Sequence, residues 1–144
     1  LCNYFTVAYP ILHKDLLLAA AMFHDIGKLQ ELSVFPENDY TDAGQLLGHV
    51  VIGEEMVGER IRTISGFPVK LANELKHCIL AHQGELEYGS PKKPAIAEAL
   101  ALSLADNTDA KMQTIKEAFA AADGNNEWLG YNRLFESNIR KTST

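Results

Sequence analysis

Apolar residues in this chain recur at helical spacing and do not alternate with polar ones over any useful length. Leu46, Val50, Val57 and Ile61 lie four or seven residues apart, which is the spacing of one helix face. Asp15 opens an Ala/Leu-rich stretch through LLLAAAMFHDI, and Gly27 stands where that helix should stop. Residues 3–9 read as the tail of a helix ended near Pro10. The turn formers Pro36, Asn38 and Asp39 make residues 33–41 a loop, and Asp42 then opens a helix to about Ile64. Pro68 starts another helix to about Gly84, and Pro94 a long one to about Ala122. After a break at Asp123–Asn126, a last helix is expected over 127–140, with Trp128, Tyr131 and Phe135 on its core face. The pattern predicts an all-α fold, a single helical bundle of five or six helices spanning residues 1–144.

At 144 residues the chain is long enough to bury a core without disulfides or a structural metal. Hydrophobic residues make up 47% and charged residues 22%, which excludes disorder and collagen-like repeats. No apolar run approaches the ~18 residues of a membrane helix, so no membrane partner is expected. The net charge is −6, and the acidic excess lies in residues 1–90. No concentrated basic patch is present of the kind that binds a duplex by charge alone. An anionic substrate therefore needs local positive charge, which a bound metal ion can supply. Cys2 and Cys78 have neither metal-site nor redox spacing, and a reducing cytoplasm is the expected location. The chain begins at Leu1, inside what already reads as a helix, so it is expected to be a piece of a longer protein that lacks its upstream segment.

The sharpest chemical feature is His24-Asp25, followed by Gly27 and Lys28. An adjacent imidazole and carboxylate at a helix end can reach one metal ion together, and the second oxygen of Asp25 can bridge to another. Gly27 removes a side chain where substrate must approach, and Lys28 can reach a phosphate as a point charge. A His-Asp pair that merely caps and hydrogen-bonds is the competing reading. His49 shares a helix face with Leu46 and Val50, His82 shares one with Leu75 and Cys78, and Asp106 interrupts the apolar run ALALSLAD. Polar ligand types among apolar neighbours on three successive helices are how a bundle builds an internal metal site. His77 precedes His82 by five positions and points about 140° away, so the two cannot face one site. His13 reads as a solvated or capping residue. Asp109 and Asn107 are open between substrate contact and plain exposure. Tyr88, in the loop after His82, can stack a base, and Lys92 and Lys93 bring charge close by. An ordinary surface loop is the bland alternative.

HDIGK at 24–28, LLGH at 46–49, AHQG at 81–84 and Ala105-Asp106 together resemble the HD-domain metal-dependent phosphohydrolases, from about residue 11 to 112. A closer likeness is to the HD half of YhaM-type 3′-5′ exoribonucleases, carried by LLLAAAMFHDIGKLQEL, YTDAGQLLGHVVIGEEMV, AHQGELEYGSPKKPAIAEAL and DNTDAKM. The resemblance implies that His24, Asp25 and Asp106 bind a first divalent metal and His49 and His82 a second, with Asp25 and Lys28 catalytic. It implies one or two ions (Mn, Fe, Ni, Zn or Mg) and phosphoester hydrolysis on a nucleotide or single-stranded nucleic acid. Lys28, Tyr88, Lys92 and Asp109 are the candidate substrate contacts. The family uses an earlier His, one helix before the pair, and this sequence has none before His13. Gln83 stands where close relatives often have another His. An upstream oligonucleotide-binding domain belongs to the likeness, and the chain is compatible with self-association. Two other readings stay open: an HD hydrolase of small or cyclic nucleotides, and a non-catalytic helical regulatory module with an incomplete metal site.

Overall fold

A computed structural model describes residues 1–122 and 127–143, so the break expected at Asp123–Asn126 lies outside the described residues. The chain divides into two compact units, Leu1–Asp106 and Asn107–Thr144. The helices are α1 (Cys2–Ala8), α2 (Lys14–Phe23), the single turn α3 (Lys28–Glu31), α4 (Asp42–Arg62), α5 (Val69–Ala81) and α6 (Ala97–Ala121). A short 3-10 turn, Leu86–Tyr88, lies between α5 and α6. The helical fold read from the sequence is the observed one. No helix of the described residues is long and apolar enough to cross a membrane.

The first unit is built on a core of Leu16, Leu17 and Ala20 from α2, Val57 from α4, Leu75, Cys78 and Ile79 from α5, and Ala99 and Leu102 from α6. Leu17, Ile79 and Leu102 are fully buried, each contributing about 1.5–3 kcal/mol of transfer free energy. Burial in this layer pushes the Cys78 thiol up to about 12, with Glu98 and Glu74 adding to the rise.

Several local readings are corrected. The N-cap of α2 is His13 and not Asp15: the His13 ring nitrogen Nδ1 accepts from the Leu16 N–H at 3.2 Å. Gly27 does not end α2, which stops at Phe23, and its backbone is ordinary right-handed helix. What Gly27 makes room for is protein rather than substrate. A Cβ there would overlap the backbone carbonyl of His49 and the amide of Gly53, so bare backbone lets the HDIGK turn press against α4. Leu46 was expected on the buried stripe of α4, yet it is 82% exposed. Gly48 is the reason: its φ of 72° and ψ of 157° break the helix there. Residues before the break are out of phase with Val50 and Val57, which are buried. Thr41 caps α4 by accepting from the Gly44 N–H at 2.9 Å.

The second unit contains the rest of α6 and an antiparallel hairpin of β1 (Trp128–Asn132) and β2 (Ser137–Arg140). A last helix over 127–140 was expected, and that expectation fails. Gly130 sits at φ 89°, where the register shifts as in a bulge, and the Asn132 side chain accepts from the Leu134 N–H to form the turn. The spacing of Trp128, Tyr131 and Phe135 fits a helix face only if those two breakers are ignored. Trp128 and Tyr131 are exposed, not core, and Arg140 lies over the Trp128 ring at 5.9 Å.

Candidate metal centre

Four elements of the first unit bring polar groups to one place. Asp25 follows the end of α2, His49 stands just past the α4 break, His82 caps the C-terminus of α5, and Asp106 lies on α6. The Asp25 carboxylate is the common point. Its Oδ1 lies 3.4 Å from His49 Nε2 and 3.8 Å from His82 Nε2. Its Oδ2 lies 3.6 Å from His24 Nε2 and 2.6 Å from Lys28 Nζ. His24 Nε2 is also 3.7 Å from Asp106 Oδ1. One ligand atom from each of Asp25, His49 and His82 lies within 4.8 Å of the others.

The three imidazoles are oriented by what their other nitrogens touch. His24 Nδ1 donates to the Ala21 carbonyl at 3.0 Å, and His82 Nδ1 to the Ile79 carbonyl at 2.7 Å. Both are local contacts three residues back on a helix end, where carbonyls lack helical partners. His49 Nδ1 faces Glu31 Oε1 at 3.1 Å. In each case the hydrogen bond at Nδ1 leaves Nε2 as the lone-pair nitrogen, turned toward Asp25. A cation bound among them would meet neutral imidazole nitrogens and carboxylate oxygens, a donor set that suits Mn, Fe, Ni or Zn. The two oxygens of Asp25 face different neighbours, Oδ1 the rings of His49 and His82 and Oδ2 the ring of His24 and the ammonium of Lys28. Among the described residues, Asp25, His49 and His82 therefore fit a divalent metal.

Electrostatics tie the pair at the rim together. The Asp106 carboxylate beside His24 holds that imidazole above the usual range against a smaller opposing effect of burial. The same contact with His24 holds the Asp106 carboxyl below the usual range. His82 goes the other way: burial, as the largest cause, pushes its pKa down and favours the neutral ring.

Two groups at the site were not read from the sequence as participants. Glu31, buried at the end of α3, accepts from the backbone N–H of His49 at 2.9 Å as well as from its ring. No pattern in the sequence separates Glu31 from its acidic neighbours; only the packing of α3 against α4 does. Gln83, noted as a departure from a His, has its side-chain amide 2.9 Å from His82 Nε2 and 3.4 Å from His49 Nε2.

The remaining candidates scatter. His77 sits on the flank of α5, where its Nε2 accepts from the Ala95 N–H at 2.9 Å. Lys92 is exposed, and Lys93 pairs with Glu85 at 2.5 Å. Asp109 is an exposed residue of α6 in the second unit. Tyr88 is exposed and lines a cavity of about 220 Å³ together with His49 and Gln83.

The family model for the HD domain matches residues 3–111. The 3′-5′ exoribonuclease YhaM of Shouchella clausii is 43% identical over 112 residues, covering 76% of this chain and 34% of that protein. The protein of the same name from Geobacillus sp. is 44% identical over 115 residues, covering 76% and 34%. That of Bacillus subtilis is 42% identical over 112 residues, covering 76% and 35%. The chain spans about a third of the length of these curated relatives. No solved structure matches it.

Proposed function

The chain belongs to the HD-domain family, and on that premise we propose that it is a metal-dependent phosphohydrolase acting on phosphodiesters at the 3′ end of single-stranded nucleic acid. The single observation that carries this reading is the convergence of three imidazole Nε2 atoms on the two oxygens of Asp25. The substrate class is supported by the relatives' name, 3′-5′ exoribonuclease. His24, Asp25, His49, His82 and Asp106 would hold one or two divalent ions. A bound ion of this kind lowers the pKa of water and neutralises phosphoryl oxygens.

The reaction adds water across a P–O bond. The water oxygen joins phosphorus, and its proton ends on the departing 3′ oxygen of the penultimate nucleotide. Within the protein, Asp25 orients the centre through both oxygens. Lys28, half-exposed, supplies a fixed positive charge beside Asp25, where it can meet charge that grows on the phosphoryl oxygens. Asp106 stays ionised next to His24. The two free cysteines fit a reducing cytoplasm.

Hydrolysis of bis(p-nitrophenyl) phosphate with added Mn tests the reading, against Asp25→Ala. Turnover by the wild type and its loss in the variant support it; equal rates overturn it. A panel of short single-stranded RNA against nucleoside monophosphates and cyclic dinucleotides then tests the substrate class, with preference for the RNA expected.

A further inference from the structure

A cavity of about 220 Å³ adjoins the centre, and His49 and Gln83 belong to both. Its other walls are Leu47 and Val51 on either side of the α4 break, and Tyr88 and Pro91 from the segment after α5. The break at Gly48 creates the space: a Cβ placed there meets nothing within 4 Å. Among the described residues, no charged side chain lines it. Leu47 and Tyr88 are left 52% and 66% exposed beside it.

We propose that this cavity is the subsite for the terminal nucleoside, with its base stacked on the Tyr88 ring, while the phosphate lies at Asp25 and Lys28. The proposal rests on the hydrolase reading and names its substrate more closely. Charge separates the two halves of a nucleotide here. The anionic half suits the side holding Lys28 and a cation. The neutral, flat half suits an apolar pocket with one aromatic ring, where stacking is tolerant of sequence. Size sets the limit to one nucleoside, since the cavity is smaller than the roughly 300–1,000 Å³ that enclose a drug-sized ligand. A phosphate alone would leave the pocket unfilled, and a duplex end would not enter it.

The test uses the 144-residue chain, with variants checked for wild-type helicity by circular dichroism. A short oligodeoxynucleotide carrying 2-aminopurine at its 3′ end reports stacking by fluorescence quenching in the metal-chelated protein. Tyr88→Ala is expected to weaken its binding by roughly 5- to 150-fold, with Tyr88→Phe near wild type. Val51→Trp, which fills the cavity from α4, is expected to weaken it likewise. In the Mn-loaded protein, the ratio of kcat/KM for thymidine 5′-(p-nitrophenyl phosphate) to that for bis(p-nitrophenyl) phosphate is expected to fall in Tyr88→Ala. Unchanged oligonucleotide binding in both Tyr88→Ala and Val51→Trp overturns the subsite. A wild type that cleaves neither ester overturns the hydrolase reading instead, and the fluorescence titration still decides the subsite.

Discussion

One oxygen of the Glu31 carboxylate accepts twice from the same residue, from the backbone N–H of His49 at 2.9 Å and from its ring Nδ1 at 3.1 Å. The break at Gly48 makes this possible. In an unbroken helix the His49 N–H would be spent on a carbonyl one turn back; here it is released and finds Glu31. The consequence is a ring whose position and tautomer are both set from behind. Glu31→Ala is expected to lower Mn affinity about 10–100-fold, measured by titration calorimetry, with helical content retained. Affinity equal to wild type would show that His49 is held by other contacts.

Gly27 and Gly48 fail differently when given a side chain. Gly27→Ala places a methyl group into the backbone of His49 and Gly53, with no flexible atom to yield. A loss of at least about 1–3 kcal/mol is expected in chemical denaturation. Gly48→Ala meets open space, and its cost is a backbone at φ 72° and ψ 157°, a region essentially reserved for glycine, about 1–3 kcal/mol. A Gly27→Ala variant as stable as the wild type would mean that the HDIGK turn can back away from α4.

Folding stability of the metal-free protein should respond to pH in two opposed windows. His24 has a raised folded pKa. Its contribution is fully present below the unfolded value of ~6.5 and is lost as pH rises through the folded value. His82 has a lowered folded pKa. Its contribution is present above ~6.5 and shrinks as pH falls below that, because the unfolded ring takes up a proton the buried one refuses. Asp106, held low by His24, adds a loss only in acid, as pH falls through its folded value. The urea midpoint in chelator is therefore expected to peak near pH ~6.5, and His24→Asn to remove the alkaline decline. A decline that survives in His24→Asn would assign it to another group.

Metal binding should oppose that alkaline decline. An imidazole must be neutral to bind, and the raised His24 pKa means protons compete with the ion up to above the ordinary imidazole range. Mn affinity is expected to fall as pH drops through that value, with proton release on binding seen as a buffer-dependent enthalpy. Affinity constant between pH 6 and 8 would exclude His24 as a ligand.

Cys78 offers a check on the core that is independent of chemistry at the site. Its thiol is fully buried and pushed up to about 12, so almost no thiolate exists at pH 8. Reaction with a thiol reagent is expected to stop near one equivalent, at Cys2, and to reach two only on unfolding. Rapid modification of both in the native protein would contradict the packing of α5.

Helices were legible because their signals are local: Ala and Leu content, Asp and Pro near starts, and a 3.6-residue apolar repeat each act within a few residues. The same locality explains the errors. The hairpin over Trp128–Arg140 was misread because an apolar spacing was weighed above Gly130 and Asn132. Leu46 was placed inside because a helix was carried through Gly48 without a break. His49, His82 and Asp106 stood out because a polar group among apolar neighbours is costly without a partner, and His24-Asp25 because an adjacent imidazole and carboxylate can reach one ion together. By itself, then, the sequence determined which side chains had to find partners and that helices would carry them. Tertiary structure alone decided that Glu31 braces His49, that Gly27 seats α4 rather than substrate, and that a cavity opens beside Tyr88. Those depend on where distant backbone segments touch, and no short-range preference encodes such a distance.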